Sequence, residues 1–226
     1  MANRSKIKAM AKELNLQTIV KGKLIELGMG NLDYLEMMLS GEIENRRQNS
    51  IAKARRNSNL PNTMFDKSLL QPTAKHQVEK LLDCIWIRNT RNLLIIGEPS
   101  TGKTALACYL TGNAIEKGYR AFYIKAEEML EVLKRKQELP KAQATFNKIK
   151  NADLLVLDEV LYLDIGKEDL ELLYKTVMFL NDTTSIVFIT NREVSDWIET
   201  TEDKYTMQLL IKRAIENSEL LRMRKN

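Results

Sequence analysis

With 226 residues the chain has room for one α/β domain and a small appendage, since single cores span about 100 to 200 residues. Apolar residues at 44% and charged residues at 29% match ordinary globular chains and exclude the disordered and fibrous classes for most of the length. The net charge of +5 lies wholly at the front: residues 1–60 hold 11 Lys/Arg against 6 Asp/Glu, whereas residues 61–226 hold 24 against 24. That asymmetry fits an electrostatic arm for a polyanion on a charge-balanced body.

The two cysteines, Cys84 and Cys108, lack CxxC spacing, so neither a disulfide framework nor a zinc site is indicated. No apolar stretch approaches the roughly 18 to 20 residues that span a bilayer, and Met1 to Val20 lacks the apolar core of a signal peptide. The expected location is the cytoplasm, with no membrane partner.

In chain order, residues 1–57 read as helices. Leu24, Leu27, Leu32, Leu35, Met38 and Leu39 recur at three- and four-residue spacings, with Gly28 and Gly30 as breaks. A linker follows at Asn57-Ser58-Asn59-Leu60-Pro61-Asn62, where Asn, Ser and Pro favour turns. The expected domains are therefore a helical, basic N-terminal domain at 1–57 and an α/β domain at 58–226. Short apolar runs at Asn92 to Ile96, Ala121 to Ile124, Leu154 to Leu157 and Ile186 to Thr190 suit parallel strands buried on both faces. Helical patterns lie between them at Thr104 to Lys117, Ala126 to Leu139, Lys141 to Lys150 and Lys167 to Asn181.

The octet Gly97-Glu98-Pro99-Ser100-Thr101-Gly102-Lys103-Thr104 fits G-x-x-x-x-G-K-[ST], with an apolar strand before it and an Ala/Leu-rich helix after it. Glycines at both ends let the backbone turn so that successive N–H groups, reinforced by the helix N-terminus, surround a β-phosphate. Lys103 is expected to reach the β- and γ-oxygens of ATP, and Thr104 to offer its hydroxyl to Mg²⁺.

About 55 residues on, the apolar run Leu154-Leu155-Val156-Leu157 ends in Asp158-Glu159, two carboxylates at the C-terminal end of a strand, where α/β sheets bind ligands. Asp158 is expected on the metal and nucleotide side, Glu159 as the general base that activates water. The next strand ends in Asn191, whose amide can hold the attacking water or the γ-phosphate. His76 has no triad partners in sequence and reads as structural, and Trp86 and Trp197 read as core or interface residues.

Strand-GEPSTGKT-helix, then LLVLDE, then FITN with Trp197 shortly after, resembles the AAA+ ATPases, specifically the IstB/DnaC-like branch of transposition regulators and helicase loaders. The stretch Leu35-Glu36-Met37-Met38-Leu39 with Glu42 and Arg46, then Ala54, Leu60-Pro61 and Phe65-Asp66, is similar to the segment that leads IstB proteins into their ATPase domain. The resemblance implies an AAA+ P-loop sheet, ATP and Mg²⁺ as cofactors, and ATP-dependent self-assembly. It also implies an arginine acting across a subunit interface: Gln208 to Arg213 is similar to the family's Leu-Asp-Arg helix, with Lys212 in place of the acid and Arg213 at the arginine. Ser218 to Lys225 reads as a last strand, and the family's Ser-Tyr-Arg segment is absent after it.

The segment Glu44 to Arg56 carries five cations, Arg46, Arg47, Lys53, Arg55 and Arg56, against one acid. On a helix they form a broad basic side suited to phosphate contacts rather than base readout. Three functions follow. In the first, implied by the IstB likeness, the protein assembles with ATP on duplex DNA and targets a transposase. In the second it loads a replicative helicase and handles single-stranded DNA, and in the third it is a DNA-packaging or scaffolding factor that uses ATP only as an assembly ligand.

Overall fold

The structure, a computed structural model, describes residues 9, 11–12, 14–21, 31–70, 72–161 and 164–224. The chain divides into two compact units, Met1–Lys53 and Ala54–Asn226. The division falls ahead of the expected boundary at 57/58, and Arg55 and Glu116, an ion pair 2.6 Å apart, both lie in the second unit.

In the first unit a short helix α1 (Gln17–Val20) precedes α2 (Asn31–Asn57), whose final turn enters the second unit. Ala11 is buried here, and Leu16, Val20, Tyr34, Met37 and Met38 pack around it, an apolar stripe at helical spacing. The expected contributions of Leu24, Leu27, Gly28 and Gly30 lie outside the described residues.

The second unit is an α/β fold. After a 3₁₀ turn (Lys67–Leu69) come α3 (Pro72–Leu81), α4 (Ile85–Arg88), β1 (Asn92–Gly97), α5 (Lys103–Glu116), β2 (Ala121–Lys125), α6 (Ala126–Arg135) and α7 (Pro140–Lys150). They are followed by β3 (Leu154–Asp158), α8 (Lys167–Leu180), β4 (Ser185–Thr190), a 3₁₀ segment (Val194–Thr200), α9 (Lys204–Ile215) and β5 (Ser218–Met223). All strand pairs are parallel and the sheet order is β2-β3-β4-β1-β5. The inner strands β1, β3 and β4 are apolar and buried almost throughout, as a sheet covered on both faces requires.

Successive strand residues serve opposite faces. Leu94 and Ile96 join Leu155, Leu157, Ile186 and Phe188 in a core that also contains Met129, Leu133, Leu173, Val177, Trp197 and Leu210 from the helical layer. Leu93 and Ile95, equally buried, point to the other face. Trp86 is buried with its Nε1–H donating to Leu81 O at 3.0 Å, and Trp197 is fully buried, so both indoles are core residues. His76 is exposed on α3.

One element departs from expectation. The helical pattern from Ala126 to Leu139 stops at Arg135, because Pro140 begins the next helix and forces Leu139 into an extended conformation (φ −114°, ψ 119°). Among the described residues no helix is long and apolar enough to cross a membrane.

Candidate nucleotide site

The phosphate loop leaves β1 at Gly97 and enters α5 at Lys103. Gly102, the residue before the helix, has φ 87°, and Ser100 has φ 63°, so two left-handed residues fold the backbone into the concave turn that presents N–H groups to an anion. Gly97 is required for a different reason. It sits opposite Met223 in the β1–β5 register, and a Cβ there would run into the Met223 carbonyl oxygen. Within the loop Thr101 Oγ1 donates to Glu98 O at 2.9 Å.

Lys103 folds back over this turn, its Nζ donating to Gly97 O and Glu98 O at 2.7 Å each. Burial pushes its ammonium pKa down, opposed by the nearby charge of Asp158. A half-buried cation at the mouth of a ring of backbone donors matches a polyphosphate, whose charged oxygens add to the single carboxylate nearby.

Asp158, only 4% exposed at the end of β3, is completely engaged. Its Oδ2 accepts from Thr104 Oγ1 and from Tyr123 Oη, each at 2.8 Å, and its Oδ1 accepts from the Glu159 backbone N at 2.7 Å. The 2.8 Å approach of Thr104 and Asp158 brings together residues 54 apart in sequence and creates a pair of hard oxygens beside the phosphate loop. Such a pair fits Mg²⁺, which takes one or two protein oxygens and completes its shell with water and phosphate. Among the described residues no group of three or more His, Cys, Asp or Glu side chains converges, so no all-protein cage competes with that arrangement.

Glu159 follows with φ 56°, a left-handed conformation unusual for this residue type and one that collects at functional sites. Its Oε1 accepts from Lys125 Nζ at 2.9 Å. Asn191 stands directly after β4, the strand between β3 and β1, and Thr190 is paired with Ile96 one residue before Gly97. Asn191 thus shares the C-terminal sheet edge with Glu159 and the loop. Lys103, Thr104, Asp158, Glu159 and Asn191 are therefore brought to one edge, the crevice at which α/β sheets take ligands.

Arg213 is elsewhere. It lies near the C-terminus of α9, paired with Glu216 at 3.2 Å, and its carbonyl accepts from Asn181 Nδ2. Asn181 in turn bonds to Asn92 at the start of β1, so Arg213 is at the opposite end of a six-residue strand, roughly 20 Å from the phosphate loop of its own chain. Arg222 is tied to Glu193.

The five cations of α2 separate. At about 100° per residue, Arg46, Lys53 and Arg56 fall within one arc, Arg47 and Arg55 outside it. Arg46 bonds to Glu42 at 2.8 Å, Arg47 to Glu44 at 3.4 Å and Arg55 to Glu116, while Lys53 and Arg56 are exposed.

Sequence reasoning missed Tyr123 and Lys125. Both stand on the same face of β2, and each reaches one of the paired carboxylates, Asp158 at the end of β3 and Glu159 just after it. The alternation of the strand was visible in sequence, but its pairing with β3 was not.

The comparisons with known proteins agree with this geometry. The family model described as "IstB-like ATP binding protein" matches residues 2–226. An insertion sequence IS21-like putative ATP-binding protein of Bacteroides fragilis is 29% identical over 84% of this chain and 74% of its own length. A second from Bacteroides fragilis strain YCH46 is 32% identical over 64% of this chain and 75% of its own. Among solved structures, the DnaC helicase loader superposes with a TM-score of 0.59 at 20% identity, covering 74% of this chain and 97% of that one, which shows a shared fold. The phosphate loop, the carboxylate strand and the family match over nearly the whole length lead to one assignment: the chain belongs to the IstB-like ATP-binding protein family, with an AAA+ P-loop fold.

Proposed function

We propose that the protein hydrolyses ATP with Mg²⁺, assembles on DNA through the basic side of α2, and targets a transposase. The observation that carries hydrolysis is the arrangement at the end of β3: Asp158 within 2.8 Å of Thr104, and Glu159 next to it with a carboxylate able to take a proton from water. Thr104 and Asp158 would hold Mg²⁺, which when bound neutralises developing charge on the phosphate oxygens. Lys103 and the loop N–H groups bind and orient the β- and γ-phosphates, and Asn191 orients the water. Arg213, half-exposed and remote from its own loop, would complete a neighbour's site, which makes turnover depend on assembly. The role in transposition is supported by the relatives' names, which associate them with insertion sequences.

The second reading, a helicase loader, is favoured by the fold shared with DnaC. A direct comparison separates the two: stimulation of turnover by duplex DNA and capture of a transposase encoded beside this chain support the first, and stimulation by single strands with capture of a hexameric helicase supports the second. For the site itself, Lys103→Ala is expected to abolish ATP binding, whereas Glu159→Gln retains binding and stops turnover. Unchanged hydrolysis in either variant would remove the assignment.

A further inference from the structure

Strand β2 is an outer strand of the sheet, and part of its edge is occupied by the segment that follows α2. The Tyr123 backbone N donates to Ser58 O at 2.8 Å, and Asn59 Nδ2 donates to Tyr123 O at 3.0 Å. The attachment is specific. Ser58 is fully buried and its Oγ closes the end of α2 by donating to Arg55 O at 2.7 Å. Asn59 adopts φ 55°, which asparagine accepts better than other side chains. The side chain of the same tyrosine runs along the sheet to the nucleotide edge, where its hydroxyl donates to Asp158 Oδ2, the oxygen that Thr104 also approaches.

One residue is thus held by the linker through its peptide and touches the metal-side carboxylate through its phenol. We infer that Tyr123 is a positioning residue for the metal side of the site, and that residues 58–59 set its position, so that the end of α2 and the grip on Mg²⁺ are coupled through β2. The inference rests on the reading of Thr104 and Asp158 as the metal-side pair. Its physical content is the fixing of a carboxylate rotor. Glu159 N holds Oδ1, and when Thr104 turns its hydroxyl oxygen to a cation, the phenol is the remaining side-chain donor on Oδ2.

The test is nucleotide binding by the full chain, followed with a fluorescent ATP analogue during a Mg²⁺ titration, in wild type, Tyr123→Phe, Asn59→Gly and the double variant. Phenylalanine keeps the ring and removes one donor, and glycine keeps the left-handed backbone while deleting the amide. Removing a hydrogen bond to a charged group shifts an equilibrium by about tenfold or more. The Mg²⁺ half-saturation is expected to rise about tenfold in Tyr123→Phe and severalfold in Asn59→Gly. The double variant should be no worse than Tyr123→Phe, and Mg²⁺-free affinity should be unchanged in all four. An unmoved titration in Tyr123→Phe overturns the positioning role, and shifts that multiply in the double variant overturn the coupling. Wild-type binding that ignores Mg²⁺ would instead overturn the metal-side reading, and the inference with it.

Discussion

Lys125 Nζ lies 2.9 Å from Glu159 Oε1, joining the ends of adjacent strands β2 and β3. The hydrogen bond to Glu159 raises the ammonium's pKa, so the pair persists across the neutral range. With Lys125 on Oε1, one of the two Glu159 oxygens that could receive a proton from water is already occupied. Lys125→Met is therefore expected to raise basal ATP turnover about three- to tenfold in steady-state assays. Both partners are about half exposed, so the melting temperature should barely move. A fall in turnover would show that Lys125 assists the chemistry instead of restraining it.

At Gly97 the obstacle to a side chain is the Met223 main-chain oxygen, which cannot be trimmed. Gly97→Ala should destabilise the fold by about 1–3 kcal/mol, the usual cost of overpacking. It should also weaken nucleotide binding, because β1 must move away from β5. Calorimetric unfolding and ATP titration measure both effects. Adding Met223→Ala should not rescue either, and a rescue would place the clash in the side chain.

Because Arg213 is far from its own phosphate loop, Arg213→Ala should leave ATP affinity intact while lowering assembled turnover by about 10³-fold or more. Mixing Arg213→Ala with Lys103→Ala chains should restore part of the activity, since the second chain supplies the arginine to the first. Failure of mixing to restore activity would locate Arg213's effect within its own subunit.

The cations of α2 should divide by partner. Lys53→Gln with Arg56→Gln is expected to lower the slope of log affinity for DNA against log salt by about 2, near 0.9 for each phosphate no longer neutralised, at unchanged stability. Arg55→Gln should instead loosen the pairing with Glu116 and leave the salt slope nearly unchanged, and since both partners are more than half exposed the melting temperature should move little. Identical salt slopes in the double variant and wild type would move the DNA surface off this helix.

The inner strands and the phosphate loop were legible in the sequence because they are local. β1, β3 and β4 are unbroken apolar runs, and the octet after β1 declares its chemistry by residue type at fixed spacing. The end of α6 was misplaced by four residues, although the proline responsible was in plain view at position 140. Tyr123 and Lys125 were not legible, since a tyrosine in an apolar strand and a lysine at its end are common. Their meaning comes from pairing with residues 34 or 35 positions away. Likewise Arg55 reads as one cation among five until Glu116, 61 positions on, is seen beside it.

The pairing of β5 with β1 has a consequence for synthesis. Gly97 meets Met223, so the strand that introduces the phosphate loop acquires its outer neighbour from residues made more than a hundred positions later. A chain still on the ribosome, with β5 inside the exit tunnel, holds a complete loop sequence on an unfinished strand. Strand β1 is therefore paired on both sides only late, after the N-terminal helices have already emerged.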